Sequence, residues 1–393
     1  MIERSDGRYE NEKIRSRTGK GICRRGARMR KFLSGAAKKE LGASFALIGS
    51  VIGAGFITGR EILSFFYGQS PLIVFFCIFA LFFGTFMLVL TVKNEVSRTL
   101  LEGGDKVVCF FNLLSVASML GATESLASDL GIGCDFPIWS IAMLLLSVFV
   151  CLKGMKGLAA FNCVLVPIML FVVFFIVAAN FNGADAVGGG AFDCFSMMKY
   201  VAMNVFLTQP LLTSVRSDYN KTGAPVKDTP EKGKGRKSLI ASAAVISAVT
   251  ALVLSATAAA FLSVLPNESA LSDIPVLYVA GKGKAAVRIV GFTVALGIIT
   301  TLVGSLYPVA TIVKGRFSLV WTTAVCLLSL ALSRLGFFVI VDKIYPALGV
   351  LAIVYYALTF AVLPSGVRIA ERGRTSRRRE GTAKPFPSLR GRA

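Results

Sequence analysis

The sequence predicts an all-α, polytopic helical membrane protein of about ten transmembrane helices, and three observations carry that prediction. Of 393 residues, 54% are hydrophobic and only 17% are charged, far from the balance of a soluble chain. Mean hydropathy is +0.69. Uncharged runs such as 71–92 and 157–182 are long enough to cross a hydrocarbon layer of about 30 Å at about 1.5 Å per residue. Barrel strands of roughly ten alternating residues do not read this way, and a helix satisfies its own backbone in lipid.

Taken in order, the apolar segments lie at 41–67, 71–92, 107–130, 136–152, 158–180, 194–215, 238–264, 285–310, 317–333 and 336–363. Lys and Arg crowd one set of connections: Lys93, Arg98 and Lys106 after the second segment, Lys153 and Lys156 after the fourth, Arg216 to Lys237 after the sixth, and Lys314 with Arg316 after the eighth. The opposite connections at 67–71, 131–136 and 181–193 carry neither residue. Positive charge in short loops stays cytoplasmic, so both termini are predicted to be cytoplasmic in a plasma-membrane protein. Residues 1–40 and 364–393 form basic tails, expected to be disordered, around a transmembrane domain at 41–363. The first tail is not read as a signal peptide, because it leads into a full-length span without a small-residue cleavage pattern. Met29 is a second plausible start.

Composition excludes several functions. With no histidine, His-ligated zinc or haem, Ser/His triads and imidazole relays are absent, and no clustered catalytic set marks an enzyme. The eight cysteines are scattered without a CxxC pair, which favours packing; Cys134 and Cys194, both expected in outward loops, are the pair that could form a disulfide. The net charge of +21 is the charge of tails and inner loops against anionic lipid headgroups. Nucleic acid is not an expected partner, since no aromatic residues interleave the arginines to stack bases.

The informative spans are those that break helix rules. The first holds Gly49, Gly53, Gly55 and Gly59, followed by Arg60 and Glu61. Each glycine costs up to about 1 kcal/mol in a helix interior, so the cluster signals close packing through GxxxG pairs or local unwinding. The sixth, SMMKYVAMNVFLTQPLLT, buries Asn204, Thr208 and Gln209 beside Pro210, whose missing N–H frees carbonyls near Phe206. Spans one and six are corresponding members of two five-span halves, and an odd number of spans inverts the second half. Paired interruptions there point to a midplane binding site.

The run GSVIGAGFITGREILSFF from Gly49 to Phe66 resembles the first-helix signature of the YkvI-like membrane proteins, within the amino acid/polyamine/organocation (APC) transporter superfamily of LeuT-type fold. The resemblance implies a 5+5 inverted repeat with helices 1 and 6 interrupted. It also implies a sodium site made by the carbonyls of Gly49, Ile52 and Gly297 and the hydroxyls of Thr300 and Thr301; the alternative is that these Thr hydroxyls bond one turn back. The substrate would meet Gly53, Ala54, Gly55, Phe56, Asn204, Phe206 and Gln209.

Intramembrane charges are functional candidates because each is costly. The same resemblance implies an outer gate at Arg60, Glu61 and Asp342, with Arg60 and Asp342 supplying the ion pair that closes it; the alternative is snorkelling to a nearby interface. Glu124, the deepest acid not adjacent to a base, is the expected carboxylate for a proton or a substrate amine. The function expected from all this is a secondary transporter of a small amino-acid-like or amine solute, coupled to a sodium ion or a proton. A solute sensor of the same fold is the alternative. No other cofactor is expected.

Overall fold

A computed structural model describes residues 39–92, 95–180, 192–222, 232–265, 274–279, 284–311 and 318–362. Both predicted tails lie outside the described residues, apart from the last turn before the first span. Every regular element among the described residues is helical.

The first span is three pieces: α1 over 39–51, α2 (Ala54–Ile57) and α3 (Arg60–Phe66). There follow α4 (Pro71–Thr91), α5 (Glu95–Asp129), α6 (Ile138–Cys151), α7 (Gly154–Asn180), α8 (Cys194–Thr222), α9 (Lys232–Leu262), the short α10 (Val276–Val279), α11 (Lys284–Thr311) and α12 (Ser318–Leu332). The last span starts as α13 (Phe337–Val339), passes through a π-helical turn at Ile340–Ile344 and continues as α14 (Tyr345–Ala357) into a second π-turn at Leu358–Val362. Among the described residues, six helices are long and apolar enough to cross a membrane. The broken first span, the shorter α6 and α12, and the more polar α8 occupy the remaining four predicted positions.

The two halves pack as counterparts. The second spans of each half, α4 and α9, lie against one another, and so do the third spans, α5 and α11. Within each half the first span meets the last: a Cβ on Gly49 of α1 would stand 2.6 Å from Asn162 Nδ2 of α7, and one on Gly349 of α14 would stand 2.6 Å from the Lys199 carbonyl of α8. Helices α5 and α11 are mostly buried and form the centre, whereas only about a third of α4 and of α7 is buried. Exposed Leu72, Phe76, Phe171 and Phe175 would be a fault in water, but in a bilayer they are the lipid-facing surface.

Two sequence expectations are corrected. The third span begins at Glu95, well before 107, because its polar first turns are held by the protein: Ser97 Oγ donates to the Thr359 carbonyl at 2.8 Å, and Arg98 faces Glu102 at 3.7 Å one turn on. The sixth span is not unwound at Pro210; α8 runs through it. A side chain of the neighbouring α5 serves a carbonyl in the turn before the proline, Asn112 Nδ2 donating to the Leu207 carbonyl at 3.1 Å, which is how membrane helices tolerate proline.

Candidate functional site

The first span is interrupted twice, on either side of α2. Its helix ends where the Gly53 N–H turns back to the Val51 carbonyl at 2.8 Å, and α2 restarts with the Ile57 N–H on the Gly53 carbonyl at 2.8 Å. The second break is at Thr58 and Gly59. Thr58 Oγ1 donates to the Gly55 carbonyl at 3.1 Å and accepts from the Arg60 N–H at 3.3 Å, while the Thr58 carbonyl accepts from the Val276 N–H of α10 at 2.8 Å. Gly59 has φ of 82°, a left-handed conformation that side chains disfavour, and it redirects the chain into α3. Freed backbone groups thus find partners inside the protein, as they must at membrane depth.

The break faces α11. Thr301 Oγ1 donates to the Gly49 carbonyl at 3.2 Å and Thr300 Oγ1 to the Gly297 carbonyl at 2.9 Å. A Cβ on Gly53 would run into Thr301 Oγ1, and one on Gly297 into the end of Ile57. Thr300 therefore bonds one turn back along its own helix, as Thr commonly does. Thr301 instead crosses between helices. The Ile52 N–H is bonded to the Ile48 carbonyl at 2.7 Å, so Ile52 sits at the last bonded turn before the break. Neutral oxygens from both helices therefore converge here, the donor chemistry of a small hard cation.

The charged residues divide differently from the sequence expectation. Arg60 Nε donates to Asp342 Oδ1 at 2.9 Å and its Nη2 pairs with Asp342 Oδ2, a two-pronged contact between α3 and the π-turn of the last span. The guanidinium also lies 3.9 Å from the Phe338 ring centre. Glu61 takes no part in this pair. It is 4% exposed, and a Cβ on Gly55 would collide with its Oε1, so it turns inward to the break rather than outward to a gate. Helical geometry is the reason: adjacent residues on a helix point about 100° apart.

Glu124 is likewise elsewhere. Its Oε1 accepts the Ser140 N–H at 3.0 Å in the first turn of α6, satisfying one of that helix's unbonded amides. It lines a cavity of about 330 Å³ with Asp135, Arg334, Phe337 and Phe338 at the 131–137 end of the bundle, where Phe338 also meets the Arg60 guanidinium. Exposed Cys134 borders the same cavity, and both Cys134 and Cys194 are free thiols.

The polar residues of α8 are not gathered at the break either. Asn204 Nδ2 bonds back to the Tyr200 carbonyl at 3.0 Å. Phe206 stacks edge-on with Tyr355 at 5.3 Å, near Phe111 at 5.7 Å. Gln209 Nε2 reaches Asp105 Oδ1, the Leu101 carbonyl and the Tyr355 hydroxyl, each at 3.0 Å, and Thr213 Oγ1 donates to Asp105 Oδ2 at 2.6 Å. This second cluster ties α5, α8 and α14 together at the level where α5 enters the bundle. Phe56 does stand at the break, edge-on to Phe261 at 6.3 Å, as does the backbone of Ala54 in α2.

Sequence reasoning missed three groups. Asp105 was assigned to a connection because the apolar run starts at 107, yet it is the acid of the second cluster. Tyr200 and Tyr345, both buried, come within electrostatic reach of Glu61. Ser115 and Ser305 share a hydrogen bond at 3.0 Å between the two central helices. Each is unremarked in the sequence until the third dimension brings it to a partner.

The Arg60 pair gives a direct test. Asp342→Asn should lower thermal stability in detergent by about 1–2 kcal/mol, below the 3–5 typical of a fully buried pair because Asp342 is partly open. Arg60→Gln added to it should recover part of that loss, and strictly additive losses would show that the two side chains are not coupled.

No family model matches the chain. It is similar to the uncharacterized membrane protein YkvI of Bacillus subtilis (strain 168), being 25% identical over 337 residues that cover 79% of this chain and 92% of that one. The YkvI-like resemblance carried by Gly49 to Phe66 thus extends over most of both proteins. Among solved structures it resembles the inward-facing conformation of Mhp1, with a TM-score of 0.53 at 16% identity over 80% of this chain and 73% of that one. It also resembles Mhp1, a nucleobase-cation-symport-1 family transporter, in a closed conformation with bromovinylhydantoin bound, with a TM-score of 0.50 at 13% identity over 83% and 76%. These likenesses establish the LeuT-type fold.

Proposed function

We propose that this membrane protein is a secondary transporter that moves a small amino-acid-like or amine solute past the interrupted first span. The observation that carries the reading is that interruption. A membrane helix gives up its hydrogen bonds at 52–53 and 58–59 where it faces α11 and a buried carboxylate, and irregular backbone at such depth is tolerated around a site rather than against lipid. A solute carboxylate would meet the turn from Gly53 through Ala54 and Gly55 to Phe56. Sodium would sit among the Gly49, Ile52 and Gly297 carbonyls and the Thr300 and Thr301 hydroxyls, where Thr301 already spans the two helices. Mhp1, whose fold this chain shares, is a cation symporter by family name.

The loop charges orient the molecule. Lys and Arg near 92–106 and 153–156 make that end cytoplasmic, so the 131–137 end, with the Glu124 cavity and the Arg60–Asp342 pair, faces outward in the plasma membrane. The basic tails then lie along anionic headgroups. The Arg60–Asp342 pair closes the outer path, and the Asp105–Gln209–Tyr355 cluster closes the inner one.

The test is a thermal-shift screen of the purified protein against amino acids and amines, with sodium present or replaced by choline, followed by flux in proteoliposomes. A stabilising solute whose shift grows in sodium is expected, since a ligand that binds the folded state raises stability by mass action. A shift without flux would make the protein a sensor. A shift indifferent to sodium would remove the sodium assignment, and no shift with any solute would sink the reading.

A further inference from the structure

We propose that Glu61 binds and releases a proton at the break of the first span, making the proton a coupling ion of this site. The inference starts from an imbalance of polar groups. Among the described residues, neither Glu61 Oε2 nor the Tyr200 hydroxyl, both buried, has a hydrogen-bond partner. Few buried polar atoms are left so, and here an acid and a tyrosine within its electrostatic reach both are. Tyr200 and Tyr345 are both within electrostatic reach of Glu61, and the Tyr345 hydroxyl is directed at Ser115 and Ser118.

Among the described residues, no cation is found facing Glu61 from the elements packed against it. On its own helix, Arg60 is committed to Asp342 and Phe338. On α8, Lys199 Nζ lies 5.1 Å over the Phe195 ring. On the π-turn of the last span, Lys343 is exposed. Tyr200 and Tyr345 are therefore the titratable groups that face it among the described residues, while α2 and residues 239–262 of α9 contain no charge. An enclosed carboxylate without a cation is too costly to keep ionised. Either a cation joins it or it is neutral.

The packing selects the cation. Oε1 lies against Gly55, where not even a methyl group could be added, and Oε2 is closed to solvent. A proton needs no volume of its own, whereas sodium or an ammonium group needs a coordination shell. The step is a simple addition. A proton joins Oε2 to form the neutral acid while the site is closed, and the O–H bond is broken, with the proton passing to water, when the site opens to the side of lower proton concentration. Gly55 is the hinge-adjacent contact through which this charge change is felt by the break. A carboxylate that becomes charged there repels the backbone carbonyls freed nearby, so proton release and rearrangement of the first span oppose or assist one another as a unit.

This role rests on the transporter reading, but its test does not need the solute. The full chain would be reconstituted in vesicles of phosphatidylethanolamine and phosphatidylglycerol and titrated between about pH 5 and pH 9, following the infrared carbonyl stretch of protonated carboxyl groups. Carboxyl-¹³C labelling of Glu or of Asp separates the two residue types. The expected wild-type result is a glutamic-acid band that persists at neutral pH. E124Q should retain it, and E61Q should lose it. E61D should move it from the Glu-labelled to the Asp-labelled protein, which keeps the test valid if E61Q does not fold. Wild-type protein with no protonated glutamic acid near neutral pH, or a band unchanged in E61Q and E61D, would overturn the proposal. A solute found in the screen that still binds would leave the transporter reading standing in that case.

Discussion

Gly55→Leu is expected to abolish uptake while the protein remains inserted and folded. The geometry is severe at this position, since a Cβ alone would overlap the Glu61 carboxylate and three further carbons would follow it toward a side chain that is itself only 4% exposed. Overpacking a closed site costs about 1–3 kcal/mol, which corresponds to roughly tenfold or more in any step that must pass through the strained arrangement. The substitution also strengthens helix propensity at a place where the chain is required to break, by about 1 kcal/mol relative to glycine. Both effects act on the break and little on the outer helices, so insertion should survive. Size-exclusion behaviour like the wild type's with uptake below about a tenth of the wild-type rate is the predicted result, on the same overpacking scale. Full uptake would show that the 53–55 turn is a packing feature without a part in transport.

The second large effect is expected from the double substitution Thr300→Val and Thr301→Val. Valine keeps the β-branched shape, but it is not a neutral swap because it removes the hydroxyl. At 300 the loss should be small, since that hydroxyl only bonds one turn back to Gly297. At 301 the hydroxyl joins two helices through the Gly49 carbonyl, and replacing it leaves a buried carbonyl without its donor, worth about 1 kcal/mol of stability. If these oxygens hold sodium, half-saturation by sodium should rise on the order of tenfold or more, the equivalent of about 1.4 kcal/mol, and most of the effect should appear in the Thr301 single variant. Unchanged sodium dependence in the double variant would dismiss the ion site and leave the proton at Glu61 as the sole coupling ion.

Much of the architecture was legible in one dimension. Helix ends such as Pro71, Cys194 and Lys284 fall within a few residues of the predicted boundaries, because in lipid the length of an apolar run is itself the structural constraint. Where prediction and structure differ, the cause is that hydropathy sees only the solvent. Glu95 to Lys106 are polar and were read as connection, yet they continue α5 because the protein supplies their partners. Pro210 was read as a break, yet α8 runs through it with Asn112 of α5 on the Leu207 carbonyl. The unwinding at Gly53 and Gly59 was signalled by glycine clustering, although GxxxG spacing alone favoured packing.

The candidate site was legible in kind but not in membership. Composition and glycine placement determined that the chain is a helical membrane protein with its irregularity in the first span, since those properties depend on local sequence and on the solvent. Which acid faces that irregularity was decided by tertiary structure. Glu61 and Arg60 are adjacent in sequence, and a rotation of about 100° per residue sends one inward to Gly55 and the other across to Asp342. Glu124 looked deep along its own helix, but depth along one helix says nothing of the neighbour, and α6 brings its amide end to meet it. A charge in the membrane takes its role from what lies opposite, and that is set by how ten helices pack.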